Sequence, residues 1–309
     1  MRRFLLGGGL FVVLASIVLA VVLLHPQPPA LVKIRLGINP WPGYEALFLA
    51  QQRGLYQRHG LDVQLVEFTS VGDCLRGYQG GNIDAMATTL IEVALAETGG
   101  AQGAPVPILV TDVSDGADLI LAKPTVNRLA DLRGKRVGVE PASLGIFILD
   151  RALALHGLTR QDIQLALMGQ EEMAQALASD AVAAVVTYAP YSVNIEQNGA
   201  KRIFTTREIP NEVVDIVSIA PRTLTAHPHL PQAFAAVWSD VLGLLEQDRE
   251  ASIAVMARRQ RLTSTEFLAS MEGLRLIPGT NQAGLLAPGG PVARSLQQVR
   301  AVLDASGVR

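Results

Sequence analysis

At 309 residues the chain is long enough for two modest domains, and 17% charged with 49% hydrophobic residues marks a globular polypeptide rather than a disordered one. A formal net charge of -2, with no basic run beyond residue 3, offers nothing for a nucleic-acid backbone to bind. The one cysteine, Cys74, excludes an internal disulfide framework and a cysteine-built metal cluster, and it reads as a small buried residue of a helix.

Met1-Arg2-Arg3, an unbroken apolar run from Phe4 to Leu24, and the proline-rich break His25-Pro26-Gln27-Pro28-Pro29 together form an export signal. The run exceeds the ~7–15 residues of a cleaved signal peptide and approaches the ~20 that span a bilayer, so an uncleaved N-terminal anchor is favoured. The arginines hold that end in the cytoplasm, and no cysteine follows to carry a lipid. The folded remainder is therefore expected outside the cytoplasm, tethered to a membrane or released by cleavage.

From Leu31 the pattern turns α/β. Short apolar stretches at Lys33–Ile38, Asp62–Phe68, Ile83–Ala87, Val106–Thr111, Arg136–Glu140, Ile163–Leu167, Ala181–Tyr188 and Val213–Ile219 predict strands of a buried sheet. Helices between them start at side chains able to accept from free first-turn amides: Ser70 with Asp73, Thr89 with Glu92, and Thr159 with Asp162 have capping-box spacing. Gly54, Gly60 and Gly157 suit left-handed helix ends. Such alternation predicts βαβ crossovers and an open parallel sheet. Beyond these, Gln232–Glu246, Glu250–Arg258, Thr263–Leu274 and Val292–Leu303 read as amphipathic helices, with Trp238 on an apolar side and a Gly/Pro-rich loop at Ile277–Pro291.

In open α/β sheets ligands bind beyond the carboxyl ends of strands, so the loops there carry the chemistry. Asn39-Pro40-Trp41-Pro42-Gly43-Tyr44 is a stiff aromatic turn suited to wall a ligand, with Trp41 plugging the core edge as the alternative. Ser70, Thr88 and Thr89 set hydroxyls and free amides at helix starts, where an anion is favoured, although each alone is better explained as an ordinary cap. Glu140-Pro141-Ala142-Ser143-Leu144-Gly145 repeats the design, with Ser143 capping a helix through Leu155, and Thr187-Tyr188-Ala189-Pro190-Tyr191 repeats it again. Recurrence at equivalent strand ends describes a cleft.

The strings Gly37–Tyr44, Ala50–Tyr56, Gly81–Ala85, Asp131–Val139 and Val186–Tyr191 resemble the nitrate/taurine/aliphatic-sulfonate substrate-binding proteins of ABC importers, a family that includes binders of thiamine-pyrimidine precursors. The segments follow the family's order across nearly the whole expected exterior. The resemblance implies a type II periplasmic-binding-protein fold of two α/β lobes joined by two hinge crossovers. Residues 1–30 are then the signal peptide or membrane anchor, 31–115 the first part of lobe one, 116–215 lobe two, and 216–309 the completion of lobe one with the C-terminal helices. It also implies a small solute enclosed between the lobes. Trp41 and Tyr44 would form an aromatic wall, Ser70, Thr88 and Thr89 the polar contacts of lobe one, and Ser143 with Gly145 the helix-start contact of lobe two. Tyr188 and Asp215 would complete the site, while Asp115 and Asp215 read equally as hinge hydrogen-bonders. The resemblance implies a periplasmic location, anchored at the inner membrane or secreted.

One departure bears on the ligand. The strand-end loops offer Glu45, Asp115, Glu140 and Asp215 and no arginine, so an amine or pyrimidine stands beside a sulfonate or nitrate. His59, His156, His227 and His229 show no base–nucleophile or metal-ligand spacing, and no cofactor or metal is expected. Two functions remain, capture for an ABC permease and ligand sensing for a membrane signalling partner, with an enzyme disfavoured.

Overall fold

In the computed structural model, which describes residues 30–97, 100, 102–141 and 143–305, the apolar runs assemble into two sheets. The first has six strands in the order β11-β4-β10-β3-β1-β2, and the second five in the order β7-β6-β8-β5-β9. The strands are β1 Val32–Ile38, β2 Leu61–Glu67, β3 Ala85–Thr89, β4 Val106–Ser114, β5 Asp118–Ala122, β6 Arg136–Val139, β7 Gln164–Leu167, β8 Ala184–Tyr188, β9 Lys201–Thr205, β10 Val214–Ile219 and β11 Leu274–Leu276. Every run read as a strand from the sequence is one. β5, β9 and β11 are additional.

Central strands β3, β5, β8 and β10 are buried along their full length, as continuous apolar runs covered on both faces require. Edge strand β2 alternates instead, burying Leu61 and Val63 while Gln64 faces out. The expected caps form. Ser70 Oγ accepts from Asp73 N at 3.2 Å, Thr89 and Glu92 close a full capping box, and Asp162 bonds the amide and hydroxyl of Thr159. Gly54, Gly60 and Gly157 take positive φ of 66°, 76° and 66°.

The sheets are mixed rather than purely parallel. β1, β2 and β3 run parallel, but β10 is antiparallel to both β3 and β4; in the second sheet β6, β7 and β8 are parallel and β5 is reversed. Crossing between sheets dictates the reversals. The chain leaves the first sheet at the carboxyl end of β4 and, after Asp115–Ala117, enters the second from the side facing the first. β5 must therefore run away from its own sheet's carboxyl edge. The return from β9 to β10 obeys the same geometry. The passing segments lie against each other: Ser114 Oγ is 2.7 Å from Thr206 Oγ1, which also accepts from Gly116 N at 2.8 Å.

The C-terminal helices Leu230–Gln247, Arg249–Arg259 and Ser264–Met271 cover the first sheet. Trp238 is completely buried and donates Nε1–H to Ile277 O at 2.7 Å, tying the longest helix to the loop before the short helix Gln282–Leu285. Glu45 is buried outside the cleft, bonded to Arg259 Nε at 2.7 Å and Gln260 Nε2 at 3.2 Å. Cys74 lies in the first sheet's core, where burial pushes its thiol well up. Residues 1–29, on which the signal-or-anchor reading rests, lie outside the described residues. Among the described residues no helix is long and apolar enough to cross a membrane.

Candidate functional site

The carboxyl edges of the two sheets meet, and the loops singled out in the sequence line that meeting. Beyond β1, Pro42–Tyr44 form a single 3-10 turn that directs both aromatics inward. Trp41 Nε1 donates to Asp112 Oδ1 at 3.1 Å, and Tyr44 Oη donates to Asp215 Oδ1 at 2.6 Å. Asp112 and Asp215 are direct cross-strand partners on β4 and β10, so the two rings are fastened to one pair of carboxyls. Gly43 makes the approach possible, since a Cβ there would sit 2.3 Å from Asp112 Oδ2. Across the gap the Trp41 ring stands edge-on to Tyr188 at 5.7 Å, and Asn39 Nδ2 donates to Tyr188 Oη at 3.4 Å.

The helix starts are met from the opposite side. Gly72 N, in the first turn after Ser70, donates to Glu140 Oε1 at 3.1 Å. Leu144 N, the first residue of the helix Leu144–Leu155, donates to Glu92 Oε1 at 2.8 Å. Each lobe thus places a carboxylate at a helix N-terminus of the other, where free amides and the helix dipole favour negative charge. Tyr191 Oη donates to Thr69 O at 2.8 Å nearer the surface.

Acidic groups dominate the interior. Asp118 begins β5 beside Tyr188 of β8, is 1% exposed, and has no hydrogen-bond partner at either oxygen. Asp112 Oδ2, Asp215 Oδ2, Asn39 Oδ1 and Thr88 Oγ1 are likewise buried and unpartnered. Burial pushes the Asp118 carboxyl up to about 7, with Ser114 opposing and the charges of Asp112 and Glu92 adding to it. Burial also raises Asp112, against the Trp41 hydrogen bond, and raises Asp215 well above the carboxylate range, helped by the Asp112 charge and opposed by Tyr44. Glu92 and Glu140 are raised by burial too, opposed by the hydroxyls and amides they accept from. Val71 of the first lobe closes over Asp118, Glu140, Gln170, Thr187 and Tyr188 of the second, leaving a residual cavity of about 10 Å³, room for about one water.

Of the residues singled out in the sequence, Trp41, Tyr44, Asp215 and Tyr188 come together around Asp112. Thr88 is buried beside them on β3, its hydroxyl free, opposite Ile216 of β10. Ser70, Thr89 and Ser143 serve as helix caps, and Gly145 N is taken by Ser143 Oγ at 3.2 Å. Asp115 stands apart. Its side chain is exposed, and its backbone accepts from Arg207 Nε and donates to Gly273 O in the passage from β4 to β5. Asp112, Asp118 and the cross-lobe role of Glu92 were not singled out. The signal for them was an acidic side chain inside or opening a run of otherwise apolar strand residues. Among the described residues no three His, Cys, Asp or Glu side chains are arranged to hold a metal ion.

This architecture is shared with solved structures. The periplasmic aliphatic sulphonate binding protein from Escherichia coli superposes with a TM-score of 0.73 at 22% identity, covering 91% of this chain and 94% of that one. A chain of Brucella abortus (strain 2308), whose name assigns it only provisionally as a binding protein, is 25% identical over 168 residues, 54% of this chain and 51% of its own length. The chain thus spans about half the length of the curated relatives it matches. The 4-amino-5-hydroxymethyl-2-methylpyrimidine phosphate synthase of Schizosaccharomyces pombe is 30% identical over 123 residues, 39% of this chain and 34% of that one. The model of the NMT1-like family matches residues 27–259, covering β1 through the helix Arg249–Arg259, and the chain belongs to that family.

Proposed function

We propose that the protein is the extracytoplasmic solute-binding component of an ABC importer, capturing a small molecule between its lobes and presenting the closed form to a permease. The observation that carries this reading is the convergence of unpartnered buried polar groups from both sheets, Asn39, Asp112 and Asp215 on one side and Asp118 on the other, at the edge where open α/β sheets bind ligands. Two chain passages between the lobes suit rigid-body closure, which a solute touching both sides stabilises by its differential affinity.

In this reading residues 31–115 and 216–309 form one lobe and 116–215 the other. Trp41, Tyr44 and Tyr188 wall the solute, Thr88 and Asp215 contact it with Asp112 and Asp118, and Ser70, Thr89, Ser143 and Gly145 shape the helix starts beside it. Asp115 acts at the passage between lobes. Residues 1–30 deliver the chain to the periplasm and anchor it at the inner membrane.

The test is a thermal-melting screen of the full chain against sulfonates, nitrate, amines, pyrimidines and short acids. A solute bound only by the folded state raises the melting point with concentration, by mass action. A Trp41→Ala variant should lose that response, and a panel without effect at millimolar concentration refutes the reading.

A further inference from the structure

The anion sites that strand-end helices usually offer are occupied here by the chain itself. At the helix Val71–Gln79, Gly72 N is bonded to Glu140 and Asp73 N to Ser70. At the helix Leu144–Leu155, Leu144 N is bonded to Glu92 and Gly145 N to Ser143. Both N-termini therefore already face a carboxylate delivered from the opposite lobe. Beside them Asp118 is buried with both oxygens unpartnered and lines, with Glu140 and the ring of Tyr188, the small cavity of the second lobe that Val71 of the first closes.

No lysine, arginine or histidine lines that cavity. The groups facing Asp118 from neighbouring elements are Tyr188 on β8, Asp112 on β4, Glu92 beyond β3 and Asp215 on β10, none cationic. The nearby arginines are committed elsewhere: Arg202 on β9 to Glu196, Arg207 to Asp115 O, Arg151 to Glu212, and Arg76 to Asp73. An anion placed at Asp118 would join like charges, whereas a nitrogen cation would supply the missing donors. The absence of metal-holding geometry among the described residues favours an organic cation over a metal ion.

Building on the solute-binding reading, we infer that the solute carries a protonated nitrogen, an ammonium, amidinium or guanidinium group, whose N–H donors go to Asp118 with Glu140 and whose charge rests against Tyr188 and Trp41. Aromatic faces attract such cations, and planar amidinium forks match a carboxylate with two free oxygens.

The experiment is calorimetric titration of the full chain in detergent with benzamidinium and agmatine against propanesulfonate and nitrate, at pH 8 and pH 5.5, repeated on D118N and E140Q. At least one cation should bind at pH 8 and weaken about thirty-fold at pH 5.5, where a carboxyl titrating near 7 is about 97% protonated. D118N should abolish cation binding at both pH values while melting cooperatively, and E140Q should weaken it. Binding of an anion without any cation overturns the cation assignment and leaves the solute-binding reading standing, as does cation binding undiminished in both variants. If neither charge class binds, the cation assignment falls, and the solute-binding reading is decided by the wider melting screen above.

Discussion

Replacing Asp118 by Asn isolates the energetic consequence of burying an unpartnered carboxyl. Asp118 is 1% exposed, and its carboxyl moves from 3.8 to about 7 on folding, so at about 1.4 kcal/mol per unit ionisation opposes folding by about 4 kcal/mol at pH 8. The folded state holds a proton that the unfolded chain releases, because the folded value is the higher one. Stability should therefore fall as pH rises from about 4 to about 7 and level off above, with no contribution below about 4 where both states are protonated. Asn cannot ionise. The variant should match the parent near pH 4 and exceed it progressively up to pH 8, where about 4 kcal/mol corresponds to a melting-point gain of about 8 °C for a chain of this size. Relief of the like charges on Asp112 and Asp215 acts in the same direction. Thermal unfolding followed by circular dichroism at pH 4.5, 6 and 8 measures the gap. A gap that stays constant across that range, or a variant less stable at pH 8, contradicts the burial of an unpartnered carboxyl at Asp118.

Tyr44→Phe removes the 2.6 Å bond to Asp215 and leaves a buried carboxyl oxygen without its donor; a loss of about 1–3 kcal/mol is expected in urea unfolding. Gly43→Ala drives a Cβ to 2.3 Å from Asp112 Oδ2, between two chain segments fixed by their own hydrogen bonds, and should lower the melting point while weakening solute binding. Gly72→Ala sets a Cβ 2.6 Å from Glu140 Oε1, so the carboxylate must swing away and lose its bond from Gly72 N; a lower melting point is expected, and an unchanged one contradicts the placement of Glu140. Trp238→Ala opens a cavity in a fully buried position and orphans Ile277 O, with an expected cost of about 3–5 kcal/mol by chemical denaturation.

Strand positions were legible because a buried strand is a short apolar run whatever its direction. Direction was not. β5 and β10 are reversed because of where the chain crosses between sheets, a property of the whole path that local periodicity does not encode. β9 was missed because as an edge strand it keeps Lys201 and Arg202 outside, and β11 because three residues make no pattern. Helix caps were legible in full at Ser70, Thr89 and Ser143, since capping is a local contest between a side chain and first-turn amides. The site was legible in part. The proline-stiffened loop announced Trp41 and Tyr44, but Asp115 drew attention as the acid in the turn, while the acids three residues to either side of it are buried in the cleft. An Asp in a turn is ordinary. One inside an apolar strand has no cheap place to go, and that contrast separates Asp112 and Asp118 from Asp115.

The contact between Ser114 and Thr206, where the outgoing and returning passages touch, limits how the molecule can move. With both passages clipped side by side at one spot, sliding one lobe along the other would have to break that clip, whereas swinging about it would not. In the solute-binding reading proposed above, closure is then expected as rotation about a shared pivot, like a clamshell. Groups beside the pivot would then shift little while those toward the mouth travel farthest, so the exposed Tyr191–Thr69 bond is expected to give way early as the shell opens.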